Sequence, residues 1–319
     1  MDAGLDRIVP AVRRSEINTG GIVGVVFEPA RRSEHFAVML SGSSGGIPEA
    51  PARRLAENGM CAFALGYFGA PGLPSGLVEI PIESLQEGIE WFSQTYAGGA
   101  AVGLMGMSKG AELALVLGAQ SGDSIARTVA IAPSHVVWFG VTAPGPNPDR
   151  RSMRSSWSLG GVPLPFLACP PDVVPVFTEF GLRTDVFCDV SRHGRQEVDA
   201  ARIPVERSTG PLLLLSGDDD HMWPAASMSD EIVRRMENHG RGDDVTSVVY
   251  AGAGHVFLVQ DFMPPPGRGA GPRFDFGGNF EADNIAGRDA WQRAVSFLRA
   301  DEPSSTALAG ASPGMAQRT

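Results

Sequence analysis

The sequence predicts an α/β domain in which a mostly parallel sheet is covered by helices on both faces. Short, nearly all-apolar runs alternate along the chain with longer segments whose apolar residues repeat at helical spacing. Such alternation favours parallel strands joined by helical crossovers. The 319 residues, 43% of them hydrophobic, suffice for one large α/β core or two modest domains.

Apolar, β-branched runs of strand length mark the predicted strands, and amphipathic segments mark the predicted helices. The predicted strands are Gly21–Phe27, Phe36–Leu40, Cys61–Leu65, Ala101–Gly106, Arg127–Ala132, Leu212–Leu215 and Val245–Tyr250. The predicted helices are Glu49–Asn58, Ile82–Tyr96, Ser108–Gln120, Ala225–His239 and Asp283–Ala300.

The alternation of strands and helices breaks between Pro133 and Arg207. Proline and glycine recur there too often for a long regular element. We therefore assign residues 133–207 to a lid or cap insertion within a catalytic domain of residues 20–300. Residues 1–19 are an expected N-terminal extension, and residues 301–319, which are small, polar and aperiodic, are expected to be disordered.

Composition narrows the expected partners. The formal net charge of −10 would repel a phosphate backbone, so nucleic acid is not an expected partner. No signal peptide is visible and no apolar run approaches the roughly 18 residues that span a bilayer, so we expect a soluble, cytoplasmic protein without membrane association. Cys61, Cys169 and Cys188 lack metal-site spacing and are interpreted as buried thiols, and no metal or other cofactor is predicted.

A strand, a glycine-flanked serine and a helix follow one another in the segment GMSKG at 106–110. In a nucleophile elbow the glycines relieve crowding in a strained turn, so that the serine hydroxyl projects from it. The N-terminus of the following helix then faces the developing negative charge. This context predicts that Ser108 is a reactive nucleophile.

A second match to the same G-x-S-x-G pattern is GSSGG at 42–46. Ile47 and Pro48 separate it from the next helix, so the sharp turn is missing and Ser44 is the weaker candidate. In α/β-hydrolases a glycine-rich loop after an early strand supplies one oxyanion-hole amide, and the residue after the nucleophile supplies the other. We therefore predict an oxyanion hole formed by the backbone N–H groups of Ser43 and Lys109.

A catalytic serine needs a histidine base that a carboxylate orients, and on the α/β-hydrolase fold the chain order is Ser, Asp, His. The acidic loop Asp218–Asp220 and then His255 follow predicted strands in that order. All three aspartates are candidates to orient the imidazole, and Asp220 is preferred because it stands three residues beyond Gly217. His255 is the predicted base. His221 is the alternative base, and if it is not the base we interpret it as a loop or pocket-wall residue.

At these residues the sequence resembles the catalytic domain of the acyl-CoA thioesterase and bile acid-CoA:amino acid N-acyltransferase family. GMSKGAELAL resembles the elbow of that family, IPVER and LLLLSGDDDHMWPA its acid loop, GAGHVF its histidine loop, and ADNIAGRDAWQRAVSFL its last helix. The resemblance runs from about Gly20 to Arg299 and implies a dienelactone-hydrolase-like α/β-hydrolase. It also implies that Ser108, Asp220 and His255 hold the triad positions.

The sequence differs from that family in two respects. Animal members carry an N-terminal β-sandwich domain, whereas about 20 residues precede the first predicted strand here. The N-acyltransferase branch uses cysteine as its nucleophile, so Ser108 resembles the hydrolase branch and favours water as the acyl acceptor.

These features predict a serine hydrolase that cleaves acyl thioesters of CoA or a carrier protein through an acyl-enzyme. The alternatives are acyl transfer to an amine or alcohol, ester or lactone hydrolysis, and a hydrolase-fold binding protein without catalysis. The only lysine, Lys109, is expected to be a solvated helix-start residue or a ligand contact. Arg150, Arg151 and Arg154 are candidates for contacting CoA phosphates, with a solvated loop as the alternative.

Overall fold

The computed structural model describes residues 11–141, 152–258 and 274–301, and its centre is a mostly parallel sheet. In chain order the strands are β1 (Val12–Thr19), β2 (Ile22–Pro29), β3 (Phe36–Leu40), β4 (Cys61–Gly66), β5 (Ile80–Pro81), β6 (Val102–Met107), β7 (Ile125–Ile131), β8 (Trp157–Leu159), β9 (Val162–Pro163), β10 (Val176–Phe177), β11 (Leu182–Arg183), β12 (Leu212–Gly217) and β13 (Val245–Tyr250). The α-helices are α1 (Glu49–Glu57), α2 (Ile82–Tyr96), α3 (Lys109–Gln120), α4 (Arg195–Ala201), α5 (Ala225–Asn238) and α6 (Phe280–Arg299).

The central sheet has eight strands in the order β1-β2-β4-β3-β6-β7-β12-β13. Only the pairs of β2 with β1 and with β4 are antiparallel, and the other neighbours are parallel. The carboxyl ends of β6, β7 and β12 therefore lie along one edge, as the pairs Met107↔Ile131 and Leu215↔Ile131 show. This confirms the predicted mostly parallel sheet.

Two apolar layers cover the faces of the sheet. One contains α2 and α3, whose Ile89 and Leu113 are in the same buried cluster as Leu104 of β6. The other contains α1 and α6, whose Leu55 and Trp291 are in a second cluster. Because both faces are covered, the central strands are apolar on both sides, which is why they appear in the sequence as unbroken apolar runs.

The predicted strands and helices of the central layers are all present, with boundaries that move by at most a few residues. The structure adds β1, which precedes the boundary that the sequence predicts at residue 20. Its residues are polar and mostly exposed, so no apolar run marks it. Gly20 and Gly21, with φ of 57° and 86°, form the tight connection to β2, a conformation that glycine adopts readily.

The described part of the predicted insertion, residues 133–207, contains only short elements, of which α4 with seven residues is the longest. Bridges such as Val136↔Arg202 and Phe139↔Ser155 hold it together around a small apolar cluster that includes Trp138 and Trp223. Within the described ranges, no helix combines the length and apolar character needed to cross a bilayer. The predicted disordered tail lies outside the described residues, apart from Asp301.

Candidate active site

Ser108 lies in the turn between β6 and α3, at the carboxyl edge of the sheet. Its φ of 57° and ψ of −123° form a backbone conformation that costs a non-glycine residue of the order of 1–3 kcal/mol. A Cβ at Gly106 would lie 2.1 Å from the carbonyl oxygen of Gly110, and one at Gly110 would lie 2.4 Å from that of Ser41. Both flanking glycines are therefore required by backbone packing, which explains the pentapeptide pattern.

The turn is fixed by hydrogen bonds on both sides of Ser108. Its N–H donates to Ile131 O at 2.9 Å, and its carbonyl accepts from the N–H groups of Ala111 and Glu112 at 2.9 and 3.0 Å. Lys109 is the first residue of α3, so its N–H has no acceptor within the helix. An amide in the first helical turn is suited to an anion.

The predicted acid and base contact one another in the structure. Asp220 lies beyond β12 and His255 beyond β13, and His255 Nδ1 is 2.7 Å from Asp220 Oδ2. Both residues are buried, at 8% and 3% exposure. Asp220 Oδ1 accepts hydrogen bonds from the backbone N–H groups of Met222 and Trp223 at 2.8 and 3.2 Å, which holds the carboxylate toward the imidazole.

The competing residues of the acid loop make other contacts. Asp218 accepts from Gly252 N at 2.6 Å, and Asp219 accepts from Gly278 N at 2.9 Å. His221 lies 3.2 Å from Asp219 and 3.0 Å from Asp275, not beside Asp220. The two neighbouring aspartates thus order the surrounding backbone and do not contact the imidazole of His255.

Trp223 connects the elbow to the Asp–His pair, a role that the sequence does not predict. Its Nε1 donates to Ala132 O at 3.1 Å, and Ala132 directly follows Ile131, the acceptor of the Ser108 N–H. Its ring meets the His255 ring edge-on, with centroids 5.7 Å apart. The position of Trp223 just after the acid loop was the available sequence signal.

The glycine-rich loop 42–46 lies against the elbow. A Cβ at Gly42 would be 3.6 Å from Ser108 Cβ, so the loop lies beside the nucleophile candidate. Ser43 is the residue that directly follows this contact. Gly46 N donates to Phe68 O at 2.9 Å, and the Tyr67 hydroxyl donates to Ser41 O, so the loop is tied to the end of β4. Ser44 precedes α1 by several residues and has no strand-to-helix turn.

The Lys109 side chain differs from both sequence expectations, because it is neither solvated nor displayed to a ligand. It is 6% exposed and pairs with the fully buried Glu112 at 3.0 Å. Burial lowers the pKa of Lys109, although the attraction of Glu112 opposes this shift. Burial likewise raises the pKa of Glu112 against the attraction of Lys109.

The remaining candidates from the sequence are arginines and cysteines. Arg154 pairs with Glu79, with Nε 2.7 Å from Oε1, whereas Arg150 and Arg151 lie outside the described residues. Cys61 and Cys188 are buried as expected, whereas Cys169 is only partly buried. Burial raises the pKa of the Cys61 and Cys188 thiols. A thiol with a raised pKa stays protonated and is a poor nucleophile.

Comparison with known proteins gives a family and a fold. The family described as "BAAT / Acyl-CoA thioester hydrolase C terminal" matches residues 80–301. The chain is 28% identical to mitochondrial acyl-coenzyme A thioesterase 2 of Mus musculus, with 91% of this chain and 61% of the relative covered. It is also 28% identical to acyl-coenzyme A thioesterase 1 of Mus musculus, with 91% and 66% covered. The chain thus spans less than two thirds of the length of these curated relatives.

Solved structures with the same architecture include an esterase and a putative dienelactone hydrolase. The esterase Pf2001 of Pyrococcus furiosus matches with a TM-score of 0.53 at 14% identity, covering 91% of this chain and 93% of that one. A putative dienelactone hydrolase from Klebsiella pneumoniae matches with a TM-score of 0.51 at 15% identity, covering 91% and 98%. Likeness at this identity concerns the fold, and it confirms the predicted α/β-hydrolase fold.

Proposed function

The chain belongs to the BAAT / acyl-CoA thioester hydrolase C-terminal family, and from this premise we propose that it hydrolyses acyl-CoA thioesters with Ser108, His255 and Asp220 as its triad. The observation that carries the proposal is the buried 2.7 Å contact between His255 and Asp220 in a chain whose elbow presents a serine. A serine needs such an oriented base to attack a thioester near neutral pH.

In the proposed acylation step, His255 Nε2 takes the hydroxyl proton of Ser108 while Ser108 Oγ bonds to the thioester carbonyl carbon. Asp220 holds the imidazole through Nδ1 and stabilises its positive charge. The backbone N–H groups of Ser43 and Lys109 donate to the oxyanion of the tetrahedral intermediate. The C–S bond then breaks, and His255 returns the proton to the departing thiolate.

In the proposed deacylation step, His255 takes a proton from water, the resulting hydroxide attacks the acyl-serine carbonyl, and Ser108 Oγ leaves with the proton from His255. The products are a carboxylic acid and the free thiol. Ser108 in place of cysteine supports water as the acceptor.

We also propose a cytoplasmic location, since Cys61 and Cys188 are free, buried thiols, the form that a reducing compartment maintains.

The proposal is tested by thiol release from acyl-CoAs of several chain lengths, with parent and Ser108→Ala proteins side by side. Loss of Ser108 should lower turnover by about 10⁴- to 10⁶-fold, as removal of the nucleophile does in serine hydrolases. Parental rates in the variant would end the proposal. Product analysis with added amines and alcohols, and parallel assays with acyl-carrier-protein and simple esters, distinguish hydrolysis of CoA thioesters from the alternatives.

A further inference from the structure

The ion pair between Lys109 and Glu112 lies directly beneath the elbow, in the first turn of α3. The Lys109 Nζ is 3.1 and 3.0 Å from the two carboxylate oxygens of Glu112. The side chains are 6% and 0% exposed, so water screens neither charge. Burying two charges at this depth carries a large desolvation penalty. The presence of such a costly pair next to the nucleophile candidate therefore needs a physical explanation.

Among the described residues, the other hydrogen-bond partners of the two side chains belong to the insertion. Lys109 Nζ donates to Trp138 O at 3.1 Å and to Ser156 Oγ at 2.8 Å. Glu112 accepts from Trp157 Nε1 at 2.7 Å and from Trp138 N at 3.2 Å. The three ammonium hydrogens thus have acceptors, and both carboxylate oxygens have additional donors, so the pair joins two segments of the insertion to one turn of α3.

Stability alone does not account for such a pair. Replacing a buried ion pair by apolar residues of similar volume is often neutral or stabilising, whereas removing one partner is costly because it strands the other charge. A fully satisfied buried network instead fixes one relative placement of the groups it joins. Here those groups are the insertion and Lys109, the residue whose backbone N–H follows the nucleophile.

We propose that Lys109 and Glu112 are positioning residues, which fix the Lys109 amide and the adjoining wall of the insertion around the developing oxyanion. The inference rests on the proposed function, since it assigns the amide a role in that reaction. Displacing the amide should lower kcat more than it changes KM, because an oxyanion forms only in the reaction and not in the bound substrate.

The primary test is Glu112→Gln, which keeps the shape of the side chain but leaves the Lys109 charge without its partner. We expect kcat for thioesters to fall about 10- to 100-fold, less than the 10²- to 10³-fold that loss of a whole oxyanion donor costs, with KM changed less than threefold. The rate constant for phosphonylation of Ser108 by a fluorophosphonate, whose reaction uses the same oxyanion hole, should fall in parallel. Glu206→Gln removes a different partly buried pair, with Arg235, and should leave both rates near parental.

The double variant Lys109→Met/Glu112→Leu separates positioning from stability and serves if Glu112→Gln does not fold. Positioning predicts that its melting temperature recovers toward that of the parent while kcat and labelling stay low. Recovery of both rates together with the melting temperature would overturn the inference, as would parental rates in folded Glu112→Gln. If the parent is labelled at Ser108 but releases no thiol, the proposed substrate is wrong, and the labelling rates of the variants decide the inference. A parent that is not labelled overturns both.

Discussion

At the scale of single residues, the candidate site depends on a few hydrogen bonds with distinct tasks. The two oxygens of Asp220 have different hydrogen-bond partners. Oδ1 accepts hydrogen bonds from the backbone N–H groups of its own loop, and Oδ2 accepts a hydrogen bond from His255. This division distinguishes Asp220 from Asp219, although the two are adjacent in the sequence. The loop thus holds the carboxylate in the orientation in which it contacts the imidazole.

The Asp220→Asn variant tests that division. The amide can keep its oxygen toward the loop, but it then turns its NH₂ toward His255 Nδ1 and enforces the wrong imidazole tautomer. We expect kcat to fall by about 10⁴-fold, as for the corresponding change in a serine protease triad, with a circular dichroism spectrum like that of the parent. Asp219→Asn is the matched control and should retain activity within a few-fold. Equal losses in both variants would assign the effect to loop shape.

Trp223 gives a second test at this scale. In Trp223→Phe the ring that packs on His255 is retained, while the hydrogen bond from Nε1 to Ala132 O is lost. We expect kcat to fall about tenfold with little change in KM, and the free energy of unfolding to fall by about 1–2 kcal/mol. Trp91→Phe, which removes an indole that packs on Phe63 instead, is the control. A change in KM alone would contradict a role in holding the base.

At the scale of secondary-structure elements, prediction from the sequence succeeds where a local pattern determines the outcome. The central strands are apolar throughout, and the GMSKG turn occurs between a strand and a helix, so both are visible in a short window. The elements that prediction missed depend on distant contacts. β1 is held by pairing with β2, and the side chain of Lys109 is buried by Ser156, 47 residues further along the chain.

We expect acid to lower the free energy of unfolding through His135, a buried histidine of the insertion. Its carbonyl accepts from Ile203 N at 3.0 Å, and burial lowers the pKa of its imidazole to about 4. The unfolded chain binds the proton near pH 6.5 and the folded chain does not. The contribution of His135 to the free energy of unfolding is therefore fully present above about pH 6.5 and is lost as the pH falls toward 4. The loss between pH 7 and pH 5 amounts to about 2 kcal/mol.

Urea unfolding at pH 7 and pH 5 measures this decline. His135→Leu should lose that part of the pH dependence, because it removes the group that the unfolded state protonates. His239→Gln alters an exposed histidine and should keep the parental difference. An unchanged pH dependence in His135→Leu would show that the proton binds elsewhere.

At the scale of the whole molecule, the net charge of −10 acts on any polyanionic substrate. Repulsion between like charges weakens as salt screens it. Arg154 is already paired with Glu79 and offers little compensation. We therefore expect KM for acyl-CoA to fall severalfold as ionic strength rises from about 0.01 to 0.15 M, where the Debye length shortens from about 30 to 8 Å.

The control for that effect is the same acyl group on a short neutral thiol, whose KM should not respond to salt. A KM for acyl-CoA that rises with salt would instead indicate a local cationic site for the phosphates.

The sheet order has a consequence for how the protein matures. β6 and β7, which flank the elbow, are translated long before β12 and β13, whose loops carry Asp220 and His255. The insertion lies between β7 and β12, so these two adjacent strands close one of the longer loops in the chain. Non-local pairing of this kind is slow to form. A nascent or refolding chain can thus build its elbow early and still lack the Asp220–His255 pair until β12 docks, so the proposed activity should be a late marker of folding.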